Sequence, residues 1–176
     1  MTRFLVLTSL LLLAACSDEK TAPASPASSP GASPGGAASK DHADAVPVLA
    51  AKAKEAGAEV AVVGRVRDTG KGIFTLVDDK FDYCGRGSST DDACPTPWDY
   101  CCQDQEAVAH ATIVVKALGP DGAPVAKSAL GIRHLDLVAV KGVLTKQEDG
   151  SLAVVAKGGW FRRERPKLPD SIKFDD

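Results

Sequence analysis

From Glu59 onward the chain alternates apolar and polar residues with a period of two, and two of the alternating runs carry a glycine in their interior. That combination restricts the fold more than any other feature. Val60, Val62, Gly64 and Val66 share one face, while Arg65 and Arg67 lie on the other. Phe74, Leu76 and Asp78 alternate with Ile73, Thr75 and Val77 after the turn sequence Thr69-Gly70-Lys71-Gly72. Residues 111–117 are rich in β-branched side chains and read as a third strand. Gly119-Pro120-Asp121-Gly122 is a turn, residues 137–144 are a fourth strand containing Gly142, and a hairpin at residues 148–151 leads into a fifth at 152–156. An interior glycine weakens a strand unless a bulge or sharp bend needs it. Two bent strands among five predict an all-β chain that closes on itself as a small barrel.

These residues also carry a resemblance. The run from Val60 to Val66 with its inner glycine, Phe74-Thr75-Leu76-Val77-Asp78, and the run 137–144 turning into 152–156 together resemble an OB-fold over roughly residues 59–158. The resemblance implies a five-stranded Greek-key barrel that binds oligonucleotides or oligosaccharides on one face. Such a fold carries a helix between its third and fourth strands. Here only residues 126–133 are available for one, and they are few and include Gly131, which leaves another small barrel or a β-sandwich as the alternative. Residues 46–58 read as a short helical lead-in ending at Gly57. The barrel is expected over residues 59–161, and residues 162–176 as a basic then acidic tail.

The amino terminus sets the compartment. Arg3 precedes an apolar run from Phe4 to Leu13, and small residues precede Cys16. That order reads as a secretory signal over residues 1–15, too short to span a bilayer. Leu13-Ala14-Ala15-Cys16 resembles the lipobox of bacterial lipoproteins. The resemblance implies cleavage before Cys16 and acylation of that residue, which would make the lipid bilayer a partner. The alternative is an ordinary cleaved signal that leaves Cys16 as a spare thiol. Ser17, where such proteins carry Asp for inner-membrane retention, implies the outer membrane facing the periplasm. Residues 16–45 combine this anchor with a linker dominated by Ala, Pro, Ser and Gly, a composition that cannot offset its ordering entropy. The mature chain would hold 20 basic and 23 acidic residues, a net charge of −3, which argues against nucleic acid as a partner.

Residues 78–110, between the second and third strands, are the most informative stretch. They hold Cys84, Cys94, Cys101 and Cys102. Four cysteines in an oxidising compartment favour two disulfides. A Cys101–Cys102 bridge is disfavoured, because adjacent Cα atoms lie about 3.8 Å apart, below the usual disulfide span. Two pairings remain open: Cys84–Cys101 with Cys94–Cys102, or Cys84–Cys102 with Cys94–Cys101. Each bridge would stabilise by ~3 kcal/mol in the chain-entropy model. The alternative is a zinc or copper site formed by these four cysteines, or by three of them and His110. Ligand spacing argues against it, because zinc ligands usually come in pairs two to four residues apart. No Cys-x-x-Cys supports a redox motif.

Trp98, Tyr100 and Tyr83 in this insertion are candidates for an aromatic ligand platform. The competing role is the local core that makes the loop fold. Seven aspartates and Glu106 face only Lys80 and Arg86 there, without the spacing of a calcium loop. Arg162, Arg163, Arg165 and Lys167 follow Trp160-Phe161; the expectation is a segment that covers the barrel end while its arginines pair with the acidic insertion. His134 and Asp136 lie close in sequence, but no nucleophile motif accompanies them. The expected function is therefore a non-catalytic binding module without cofactor, anchored to the cell envelope and recognising an envelope protein, a peptide or a glycan. A metal-binding or redox lipoprotein is the second reading, and a small hydrolase has the least support.

Overall fold

The computed structural model describes residues 42–86 and 98–167. The signal segment, Cys16, the linker up to residue 41 and Cys94 lie outside these residues. Within them are strand β1 (Val46–Pro47), helix α1 (Val48–Lys52), strands β2 (Glu59–Gly70) and β3 (Ile73–Val77), helix α2 (Gln105–His110), and strands β4 (Thr112–Leu118), β5 (Leu137–Lys146), β6 (Leu152–Lys157) and β7 (Trp160–Glu164).

Strands β2 to β6 close a barrel. Strand β2 pairs antiparallel with β3, β3 with β4, β5 with β6 and β5 with β2, while β4 and β6 run parallel. The circular order β2-β3-β4-β6-β5 is that of a small OB-like Greek-key barrel. The inward residues are those the alternation assigns. Val60, Val62, Val66, Phe74, Leu76, Ile113, Val115, Val138, Val140, Leu144 and Val154 form one buried cluster.

Closure depends on two strands that change neighbours part-way along, and each has its glycine at the change. Strand β2 pairs with β5 through residues 59–65 and with β3 from Arg65 onward. At Gly64, a Cβ would lie 2.7 Å from the Val77 carbonyl oxygen. Strand β5 pairs with β2 through Val143 and with β6 from Val143 onward. At Gly142, a Cβ would lie 2.5 Å from the Val155 carbonyl oxygen. Real Cβ atoms do not approach so closely, so both positions exclude side chains. A register shift between Val66 and Thr69 adds further bending to β2.

Several expectations are corrected. The lead-in is helical only over Val48–Lys52, because Val46 and Pro47 pair in parallel with Val62 and Val63. The first turn of α1 takes its cap from elsewhere: the Leu49 amide donates to Asp78 Oδ2 at 2.9 Å. Between β4 and β5 only a 3₁₀ turn forms, at Lys127–Ala129. A helix instead precedes β4, where Asp104 caps α2 by accepting from the Ala107 amide at 2.9 Å. The segment read as a tail begins as structure: β7 pairs antiparallel with β5 and runs past residue 161. Its Trp160 packs edge-on against Phe74 and donates from Nε1 to the Leu130 carbonyl.

Candidate functional site

The insertion is built on a second core outside the barrel. Val77, Tyr83, Tyr100, Val108 and Leu135 are buried together, with Phe81 and Trp98 packed against them. Val77 belongs to β3 but points away from the barrel interior. The outer surface of β2 and β3 is therefore covered at this end rather than solvated. Arg65 shows the consequence. Its alternation places it outside, yet it is fully buried. A buried guanidinium requires partners. It donates from Nε to Asp79 Oδ1 at 2.6 Å, from Nη1 to the Leu135 carbonyl at 3.1 Å and from Nη2 to Glu164 Oε1 at 3.2 Å. One side chain thus joins β2, the insertion, the segment before β5, and β7.

The three aromatic candidates belong to this core. Tyr100 is fully buried and Tyr83 is 7 % exposed. The guanidinium carbons of Arg65 and Arg86 lie 5.4 Å and 6.0 Å from the Tyr83 ring centroid. Burial raises the Tyr83 phenol above its ordinary value, against the opposing pull of the two arginines. Tyr100 is raised further, again by burial, and its hydroxyl has no hydrogen-bond partner among the described residues. These two rings are not an open platform; burial has already used their faces. Trp98 is half-buried, has φ +72°, and lies over Gly85, where a Cβ would meet the indole at 3.0 Å.

Three cysteines converge at the edge of this core. The Cys84 amide donates to the Asp99 carbonyl at 2.8 Å, and the Trp98 amide donates to the Cys84 carbonyl at 2.9 Å. This clamp brings Cys84 Sγ to 3.3 Å from Cys101 Sγ, and Cys102 Sγ lies 3.7 Å from Cys101 Sγ. All three sulfurs lie within 4.8 Å of one another. Cys101 is disulfide-bonded, to a partner outside the described residues. Cys84 is a buried free thiol, so neither expected pairing of Cys84, with Cys101 or with Cys102, is closed. His110 does not join the sulfurs. It ends α2, and its carbonyl accepts from Lys52 Nζ.

The other polar candidates have structural partners. His134 Nδ1 faces the Arg67 carbonyl at 2.5 Å and Nε2 faces the Trp98 carbonyl at 2.9 Å, so the ring ties the insertion to β2. It makes no dyad with Asp136. That buried carboxylate instead accepts from the Arg133 amide and takes Arg165 in two bonds, Nε to Oδ1 at 2.8 Å and Nη2 to Oδ2 at 2.6 Å. Arg162 donates to the Gly131 carbonyl and Arg163 to the His42 carbonyl. These arginines therefore hold the barrel's own segments. Within the insertion, Arg86 reaches Asp79 and Asp82. Burial alone would lower the Arg86 pKa, but those two carboxylates outweigh it and raise it.

One open concavity was not anticipated. A groove of about 560 Å³ lies on the outer surface of β5 and β6, lined by His42, Glu59, Lys141, Val143, Val155 and Lys157 among others. Alternation puts Lys141 and Val143 on the outward side, but only barrel closure sets Glu59 beside Val143. The glycine pair 158–159, both at positive φ, forms one end of it. Neither a protein-family model nor a curated protein sequence matches this chain.

Proposed function

We propose that this chain is an exported lipoprotein, held to the envelope through Cys16, whose OB-like barrel is a non-catalytic binding module. The observation that carries the reading is the groove on β5 and β6. It joins an apolar floor, Val143 and Val155, to two lysines and one glutamate. A few placed charges around an apolar surface suit a peptide or glycan segment bearing an acidic group. OB-like barrels are a common scaffold for such extended ligands. The negative net charge of the mature chain argues against nucleic acid.

Two experiments test the parts separately. Metabolic labelling with palmitate should mark the wild-type chain and not Cys16→Ser; equal labelling, or a wild-type chain recovered unlabelled from the cytosol, removes the anchor. Full-length protein in detergent should bind acidic muropeptide fragments or acidic peptides, and the Lys141→Ala/Lys157→Ala pair should weaken this about tenfold or more. Unchanged affinity in the double variant would remove the groove from the reading.

The sulfur cluster favours a second reading, a redox or metal-binding lipoprotein. Three cysteine sulfurs within 4.8 Å are a recognisable ligand geometry. The Cys101 disulfide takes one sulfur out of any thiolate set, which weights this reading toward thiol chemistry. Stoichiometric zinc or copper in protein purified without reductant would reverse that weighting.

A further inference from the structure

Taking the groove on β5 and β6 as the ligand site proposed above, we infer that its occupant is a peptide segment of mixed charge. Lys141 and Lys157 hold its acidic group, and Glu59 holds an ammonium about three residues away.

Barrel closure fixes where each charge stands. Glu59 pairs with Val143 across β2 and β5, and Val143 pairs with Val155 across β5 and β6. These three residues therefore form one row over three strands. Lys141 lies two residues before Val143, and Lys157 two residues after Val155, so both share that outward face. Because β5 and β6 are antiparallel, the two lysines come together at one end of the groove. At ~4.8 Å between strands and ~3.4 Å per residue, the Glu59 backbone is roughly 8–12 Å from theirs. The floor between is apolar: Val143 is 37 % exposed and Val155 is half-buried.

Among the described residues, none of these three charges makes an ion pair. The other polar side chains of the lining are engaged. Thr145 donates to the Ala153 carbonyl at 3.3 Å and accepts from Gln147 Nε2 at 3.0 Å. His42 Nε2 faces the Gly159 carbonyl at 3.0 Å. The ionised side chains left for a ligand are Lys141, Lys157 and Glu59. A purely acidic ligand would cover the floor and leave Glu59 partly desolvated without a partner, which is unfavourable. A ligand that also brings a cation to Glu59 satisfies both ends. In an extended peptide, an acid and an ammonium three residues apart are separated by about 10 Å, with two small side chains between them for the valines. The described lining holds no phenylalanine, tyrosine or tryptophan on which a sugar ring could stack, which favours peptide over glycan.

The test is an NMR titration of the full-length protein in detergent with capped tetrapeptides and with digalacturonate. Acetyl-Asp-Ala-Ala-Lys-amide should bind about three- to fivefold tighter than its acid-only analogue ending in Gln, the worth of one exposed ion pair. Glu59→Gln should erase that margin and leave the acid-only peptide bound at least as well as by the wild type. Glu59→Lys should reverse it, so that acetyl-Asp-Ala-Ala-Asp-amide binds tightest; this gain also reports that the variant is folded. Equal affinity of the wild type for the mixed and acid-only peptides would overturn the mixed-charge ligand and leave the groove as a site for acids. So would a margin that survives Glu59→Gln. Digalacturonate bound as tightly as the mixed peptide would make the ligand a glycan in the same groove. No binding of any probe would remove the groove itself.

Discussion

The barrel and the insertion solve the same problem by different means. The barrel core is aliphatic, with one buried phenylalanine, and its strands pair around a full circle. It needs no charge inside it. The second core is small and rich in aromatics, and covers one outer end of the barrel. Its few apolar side chains are supplemented by a buried guanidinium, a histidine bridging two carbonyls, and a sulfur cluster. A closed sheet satisfies its own backbone and can remain apolar. A long insertion lacks that regularity, and covalent and ionic ties make up the difference.

The comparison can be broken or sharpened by experiment. The largest effect should come from Phe74→Ala, which empties the centre of the barrel. A cost of about 3–5 kcal/mol and loss of both cores in one transition are expected. Separate melting of the insertion in this variant would show that it does not depend on the barrel. Arg65→Ala should cost about 2–4 kcal/mol through lost packing and lost hydrogen bonds. Hydrogen exchange should then rise first at residues 78–86 and 98–110; uniform deprotection of the barrel strands would contradict the clamp. Asp104→Ala removes only the cap of α2 and should cost about 1 kcal/mol, with an unchanged barrel in denaturant titration.

The smallest effect has an opposite sign. Tyr100→Phe removes a buried hydroxyl with no partner among the described residues, so it should leave stability unchanged or raise it by up to about 1 kcal/mol. A loss above that size in thermal melts would mean that the hydroxyl is engaged. The same residue sets an alkaline limit. Its folded pKa lies above the ordinary tyrosine value of 10.0, chiefly through burial. Between those two values the unfolded chain has released the proton and the folded one has kept it. Stability therefore falls as pH rises past about 10. Tyr100→Phe should flatten that fall, and an identical alkaline slope in the variant would assign it to other groups.

Much of the barrel was legible because its physics is local. Alternation marked the inward residues, and the glycines at 64 and 142 announced bends before any pairing was known. The second core was harder to read. Arg65 looks like a solvated residue on an outward face, and nothing near it in sequence identifies Glu164 or Leu135 as partners. The extension of β7 past Phe161 was hidden by its charge, because Arg162 and Arg163 read as a tail until β5 is there to pair with them. Cysteine spacing favoured bridges over a metal, but spacing does not place the Cys84 sulfur beside a bond already made.

The sequence alone determined which side chains must leave water and where the backbone must bend, since both follow from residue type and short-range period. It also placed a turn within Thr69-Gly70-Lys71-Gly72, of which the structure leaves only Lys71 and Gly72 between the strands. Tertiary structure decided which outward faces stayed wet. Covering one end of β2 and β3 turned Arg65 into a buried hub and Tyr83 and Tyr100 into core, while β5 and β6 kept an open groove. That division depends on segments far apart in the chain meeting at one surface, and no local pattern encodes such a meeting.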